Sequence, residues 1–211
     1  MDEIETTEAA AVHRVTARSP RWTGAPSIDL AHQLNAQCVE LICQLAVSNH
    51  RAMPAFVLET RDLWRLLEPE ARIRVAAFPF VIVDLHFNDD DWWRHVSVKP
   101  STTPLEFSPY EDLTLETLLF ARQSARENMN VARAMFAMSS AVPARVASLT
   151  LPQVRAIALG HAAELRVRWD NDPELWRDLL VASRAGDSES LQAVRRQAKL
   201  LFCGVLIKPR A

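Results

Sequence analysis

The sequence predicts a mostly helical protein, and three observations favour this fold class. Glycine is scarce, at 4 of 211 residues, so the chain lacks the glycine-rich turns that join short antiparallel strands. Apolar residues make up 49% of the chain, which is enough to form a hydrophobic core. From Ile28 to Leu45 they recur at steps of three and four residues, the spacing of an amphipathic helix. We therefore expect an all-α fold with short extended segments.

The first half of the chain predicts a series of helices followed by one extended segment. Ser27 is placed to cap a helix, and further helices are predicted over 55–67 and from Pro69 to about residue 78. Residues 81–87 then alternate in a period of two, which indicates a short extended segment.

Polar residues and prolines follow this segment. The Asn and Asp residues at 88–91 directly precede Trp92 and Trp93, and short polar side chains in that place are typical of a helix N-terminus. Trp93 is accordingly expected in the core. Residues 97–109 contain three prolines and cannot continue a helix, so we predict a linker at 99–110.

The second half repeats this order of elements. One long helix is predicted over 113–138, and a capping-box sequence at 150–153 precedes another helix. Residues 165–169 alternate, and the polar residues at 170–173 precede a helix that carries Trp176, again a predicted core residue.

A sequence match supports an internal repeat. Arg51-Ala52-Met53 recurs as Arg133-Ala134-Met135, 82 positions later. The same offset aligns the extended segments and the Asp-rich caps of the two halves, and one inserted residue aligns their Trp-Arg pairs. Chance similarity of two amphipathic helical segments is the alternative. The predicted organisation is an N-terminal tail at 1–26, a first repeat at 27–98, the linker at 99–110, a second repeat at 111–185, and a basic C-terminal helix and tail at 186–211.

Three blocks of the second half, within residues 113–181, resemble FlhD, a subunit of the FlhD–FlhC activator of bacterial flagellar genes. The blocks are Ala134-Met135-Phe136, Leu149-Thr150-Leu151-Pro152-Gln153, and 165–169 with Asp170. The resemblance implies an all-helical fold that pairs as a dimer of like subunits and acts at promoters with a zinc-binding FlhC partner. Two copies in one chain would form that pair internally, as a pseudo-dimer. Phe136 is the position that the resemblance marks for partner contact.

The expected function is therefore transcriptional regulation through protein–protein association with an FlhC-like subunit, together with promoter DNA. The alternative is an interaction or adaptor module with the same fold that does not bind DNA. The candidate DNA contacts are four arginines. Arg166 and Arg168 are predicted to share one face of an extended segment, and Arg195 and Arg196 lie in the basic C-terminal helix. A solvated strand edge and a helix-dipole complement are the alternative explanations of these charges.

No catalytic motif is present in the sequence. It contains no Gly-rich phosphate loop, no HExxH and no GxSxG, so we expect no enzymatic activity and no cofactor. His86, His95 and the acids at 89–91 are close in sequence, but helix capping explains these acids without a metal ion. The cysteines Cys38, Cys43 and Cys203 form no CxxC pair and are expected to be reduced and buried.

Charge and hydropathy predict the environment of the chain. The longest apolar runs are shorter than the roughly 18 to 20 residues that cross a bilayer, so no membrane association is expected. The first ten residues carry four acids and no base, unlike a secretory signal, and we expect a cytoplasmic protein. The net charge of −2 argues against binding of polyanions through bulk charge. Homo-oligomer formation stays open.

Overall fold

The computed structural model describes residues 28–48, 53–97 and 107–204. Most of these residues are helical, which confirms the predicted fold class. The helices are α1 Ile28–Val47, α2 Ala55–Glu59, α3 Arg61–Arg65, α4 Pro69–Ala76, α5 Asp90–His95, α6 Pro109–Glu127, α7 Met129–Phe136, α8 Val142–Ser148, α9 Leu151–His161, α10 Pro173–Ala185 and α11 Ser188–Phe202. A 3-10 turn spans Ala162–Glu164, and the strands are β1 Val83–Asp84 and β2 Arg166–Val167. The predicted tail at 1–26 lies outside the described residues.

The helix starts agree with the predicted capping chemistry. Asp89 caps α5 by accepting hydrogen bonds from the backbone N–H groups of Asp91 and Trp92. Thr150 caps α9 in a full capping box, and Asp172 caps α10. Each of these side chains satisfies an amide that has no partner within its own helix. The predicted N-terminal caps of these three helices are therefore confirmed.

Two helices that were predicted to be continuous are each interrupted. The helix predicted over 55–67 is interrupted at Thr60, which lies outside the helical region at φ −113°, and whose hydroxyl donates to the Phe56 carbonyl at 2.5 Å. The long helix predicted over 113–138 is also wrong. Asn128 has an extended backbone at φ −159° and ends α6, while its side chain caps α7. α6 itself begins at Pro109, inside the predicted linker.

The two halves meet at a two-stranded antiparallel sheet. Val83 lies opposite Val167, and Asp84 lies opposite Arg166. The N–H of Arg168 donates to the Ile82 carbonyl at 2.7 Å, which extends the pairing by one bond. Asp84 and Arg166 are separated by 82 positions, so the centre of the pairing joins two residues that the sequence repeat aligns.

The turns after the two strands are built alike. His86 follows β1 and Trp169 follows β2, and both have the left-handed backbone that non-glycine residues rarely adopt, at φ 53° and 59°. The carbonyl of each accepts a hydrogen bond at 2.9 Å from the aspartate that caps the next helix, Asp89 or Asp172. The same turn therefore leads from each strand into the helix that follows it, α5 or α10.

Each of these two helices packs on elements of the other half. α10 packs on α2, α3 and α4, whereas α5 packs on α8. Trp176 on α10 is 1% exposed, and its ring centroid lies 5.4 Å from that of Phe56 and 5.6 Å from that of Trp64. Trp93 on α5 is buried beside Phe87. The prediction that both tryptophans anchor the core is confirmed.

A buried amide on α1 fixes the chain that leads into β1. Asn35 is fully buried and donates from Nδ2 to the carbonyls of Ala76 and Phe80, at 3.2 and 2.9 Å. Its Oδ1 accepts from the N–H of Ile82 at 2.9 Å. Buried and partly exposed residues alternate from 83 to 87, as predicted. Ile82 departs from this alternation, since residues 80–83 are all buried.

The cysteines depart in part from their predicted burial. Cys38 and Cys43 are buried, but Cys203 is exposed, and all three are free thiols. Burial raises the pKa of the Cys38 thiol to about 12, so it stays protonated at neutral pH. Among the described residues, no helix is long and apolar enough to cross a membrane.

Candidate partner-binding surface

Phe136 is a core residue. It is 0% exposed and packs edge-on against Phe87 and Phe120, with ring centroids 5.3 and 5.2 Å away. A partner could reach this ring only if the centre of the protein opened. The prediction that Phe136 contacts a partner is therefore wrong, because the end of α7 turns this side chain inward.

Arg168 is also internal. Its side chain is 12% exposed. Nε donates to the Val81 carbonyl at 3.0 Å, and Nη2 donates to the Phe136 carbonyl at 2.6 Å and to Asp84 Oδ1 at 3.2 Å. Burial lowers the pKa of this guanidinium, and the neighbouring Asp84 opposes that change. Because these acceptors occupy the guanidinium, the prediction that Arg168 contacts DNA is contradicted.

The predicted pairing of Arg166 with Arg168 on one exposed face is not observed. Arg166 is exposed and lines a separate cavity of about 150 Å³ beside Tyr110 and Asp170. Arg168 follows β2 directly, and its guanidinium is directed inward by hydrogen bonds to three acceptors. The two guanidinium groups therefore cannot bind one phosphate backbone together.

Arg195 and Arg196 point in different directions from α11. Arg195 is half-buried, and its Nη2 donates to the Arg74 carbonyl at 2.5 Å; burial lowers its pKa. Arg196 is exposed. Successive residues of a helix are rotated by about 100° about its axis, so Arg195 and Arg196 lie on different faces. Lys199 is three positions after Arg196 and therefore lies on the same side as Arg196.

A groove along α11 brings several of these cations together. It consists of two adjoining cavities, of about 240 and 600 Å³, which share Pro79, Phe80 and Lys199 in their linings. We call it the α11 groove. Its other lining residues are Phe78, Gln192, Arg195, Arg196, Arg133, Ala134, Ala137, Met138, Phe202 and Cys203.

The groove combines an apolar floor with a basic rim. Phe80 and Phe202 stack at its floor with ring centroids 4.0 Å apart. Arg133, Arg196 and Lys199 are exposed around it. None of the described residues that line it is acidic. An apolar surface within a one-sign rim is typical of an interaction site.

The comparisons with known proteins identify no relative. No family model matches the chain, and neither a curated protein nor a solved structure matches it. The resemblance of residues 113–181 to FlhD therefore stays a prediction.

A polar cluster lies at one end of the β1–β2 pair, and Arg168 lies at the other end. Glu164 accepts a hydrogen bond from Trp92 Nε1 at 2.8 Å. Its carboxylate lies 2.7 Å from His161 Nδ1 and 3.3 Å from His86 Nε2. The hydrogen bond with His161 is the main reason that the pKa of Glu164 lies below its usual value. We call this cluster the Glu164 clasp.

The acids considered for a metal site have local structural roles. Asp89 caps α5, Asp90 accepts a hydrogen bond from the Ser139 hydroxyl, and Asp91 pairs with Arg94. Across 28–48, 53–97 and 107–204, no group of three histidine, cysteine or acidic side chains is arranged to hold a metal ion.

Sequence reasoning found part of the α11 groove. Arg195 and Arg196 were named from the basic helix, and the spacing of Arg196 and Lys199 is a local signal. Arg133 and Phe80 were missed as groove residues because only the tertiary fold brings them beside α11. Glu164 and His161 were missed for the same reason, since the cluster also needs His86, in the turn after β1, and Trp92 on α5.

Proposed function

We propose that this chain is a regulatory protein that binds a protein partner through the α11 groove. The observation that carries the proposal is the groove itself, with its exposed cations Arg133, Arg196 and Lys199 around an apolar floor. Exposed apolar surface with a polar rim is one mark of a protein interaction site. As the resemblance to FlhD implies, the process would be transcription, with an FlhC-like subunit as partner.

We further propose that the two halves are copies of one unit, packed as an intrachain pseudo-dimer. The centred Asp84–Arg166 pairing supports this, as do the matching turns at His86 and Trp169. The reciprocal packing of α5 and α10 on the opposite halves adds to the support. In such an arrangement a single polypeptide replaces a subunit dimer.

Promoter DNA would be reached mainly through the partner. Arg168 is bonded internally and Arg195 is half-buried, so this chain offers few guanidinium groups for phosphates. That observation also favours the second candidate function, an adaptor that never approaches DNA.

The test is chromatin immunoprecipitation of the tagged full chain, combined with DNA binding by the purified chain at two salt concentrations. We expect promoter occupancy in cells that is lost in a variant carrying Arg133→Glu and Lys199→Glu, and weak DNA binding by the chain alone. Partner retention without promoter occupancy would favour the adaptor. Unchanged partner retention and occupancy in the variant would refute a role for the groove.

A further inference from the structure

We propose that the α11 groove binds an acidic peptide segment with apolar side chains on one face. This inference rests on the proposed function, which requires a protein partner but does not define its chemistry. Charge complementarity supplies the first step. Arg133, Arg196 and Lys199 have no ion pair or side-chain hydrogen bond with any described residue, and no described acid lines the groove. Carboxylates of a bound segment would satisfy these cations.

The floor of the groove defines the apolar part of the segment. Phe202 stacks on Phe80, and the guanidinium of Arg168 lies 4.9 Å from the centre of the Phe202 ring. The side-chain amide of Asn35 donates to the Phe80 carbonyl at 2.9 Å. Because internal contacts already fix the floor, a ligand pays little ordering entropy when it binds there.

The shape of the groove defines how acid and apolar side chains alternate. Lys199 lines both cavities, of about 240 and 600 Å³, and is the charged residue that they share. A segment that places an apolar side chain in each cavity must cross Lys199, where an acidic side chain would pair with it. Two apolar anchors separated by an acid fit this geometry, and an amphipathic acidic helix provides that pattern.

A protein ligand explains the floor better than a nucleic acid does. Nucleic-acid interfaces are more polar and more strongly cationic than protein interfaces, and phosphates gain nothing from the stacked rings of Phe80 and Phe202. The exposed Ala134 borders the larger cavity, where an apolar side chain of a peptide would be held.

The probe is a fluorescein-labelled amphipathic peptide of about 16 residues, with glutamates on one face and Leu and Phe on the other. Anisotropy is measured with the full-length chain at low and physiological salt. We expect saturable binding that weakens with salt and falls by about tenfold or more in the Arg133→Glu, Lys199→Glu variant. A matched control, Arg155→Glu with Arg177→Glu, changes the charge equally at exposed positions outside the groove and should bind as the wild type does.

A steric variant tests the cavity without changing charge. Ala134→Phe fills the larger cavity from an exposed position, so it removes no core contact. We expect this variant to bind the peptide about tenfold more weakly, while the unfolding transition of the variant stays that of the wild type.

Several results would overturn the proposal. One is an absence of peptide binding, and another is an equal loss of binding in the control pair. A third is binding of a labelled DNA duplex that the charge variant abolishes, while binding of the peptide to that variant is unchanged. A fourth is a dimer in light scattering that Ala134→Phe converts to a monomer, because a second copy would then occupy the groove. If the peptide fails but the groove variants still lose the cellular partner, only the acidic ligand is refuted and the proposed function stands.

Discussion

The two flanks of the β1–β2 pair are held together by different chemistry. On one flank the buried, permanently charged Arg168 bonds two backbone carbonyls and Asp84. On the other flank the side chain of Glu164 is 40% exposed and is contacted by Trp92, His161 and His86. The repeat offset of 82 aligns His86 with Arg168 in the sequence, whereas in the structure His86 and Trp169 occupy the matching turns.

This difference separates a fixed contact from a titratable one. Arginine keeps its charge at every physiological pH. Because the guanidinium of Arg168 is buried with its acceptors, removing this side chain is costly. A partly exposed carboxylate among imidazoles contributes less, because water screens it, and its contribution depends on pH. We therefore infer that the Arg168 flank supplies most of the polar stability between the halves.

The largest expected effect comes from Arg168→Met. The substitution removes the donor to the carbonyls of Val81 and Phe136 and the ion-pair partner of Asp84, so we expect a loss of about 3–5 kcal/mol in the free energy of unfolding. Urea unfolding followed by circular dichroism measures it. The exposed Arg166→Met is the matched control, with an expected change within about 0.5 kcal/mol. Equal costs at both positions would remove the distinction between buried and exposed arginine.

The tryptophans after the two strands should also differ. The Nε1 of Trp176 donates to the Trp169 carbonyl at 3.2 Å, whereas the buried Nε1 of Trp93 has no partner among the described residues. Trp176→Phe loses a hydrogen bond that Trp93→Phe does not, so we expect it to cost about 1–2 kcal/mol more. Chemical denaturation of the two variants compares these costs, and a larger loss for Trp93→Phe would contradict the assignment.

The smallest effect is expected at the Glu164 clasp. Glu164→Gln keeps the shape of the side chain but removes the charge, and we expect a cost of at most about 1 kcal/mol at neutral pH, since the site is partly exposed. Thermal unfolding of this variant beside the wild type measures the difference. A cost as large as that of Arg168→Met would reverse the ranking of the two flanks.

The same variant carries a pH dependence of defined sign. The folded-state pKa of Glu164 lies below its ordinary value of 4.5, so its stabilising effect is fully present above pH 4.5 and is lost as the pH falls through the lowered folded value. The stability difference between wild type and Glu164→Gln should therefore shrink on acidification through this range. A difference that grows as the pH falls would refute the lowered pKa.

The helix starts could be predicted from sequence because their chemistry is local. Asp89, Thr150 and Asp172 each cap amides within three positions of themselves, so sequence spacing is sufficient. The breaks at Thr60 and Asn128 were missed. Both residues occur in segments that otherwise have helical spacing, and their breaks depend on how the flanking helices pack.

The candidate site was predictable only where exposure follows from local spacing. Arg195 and Arg196 were both named from the basic C-terminal helix, and of the two only Arg196 is exposed. Arg168 and Phe136 were misassigned because their burial depends on distant partners, as when the Phe136 carbonyl accepts from Arg168. A short motif defines the order of residues but not which side chains the rest of the chain covers.

Native-state hydrogen exchange on the full-length chain tests most directly whether the two halves form one unit. Amides of α1 and α4 report on the first half, and those of α6 and α9 report on the second. If β1, β2 and Arg168 join the halves into one packed unit, the slowest amides of both should exchange with the same free energy and the same denaturant dependence. A half that opens alone, at a clearly lower free energy than the other, would contradict it.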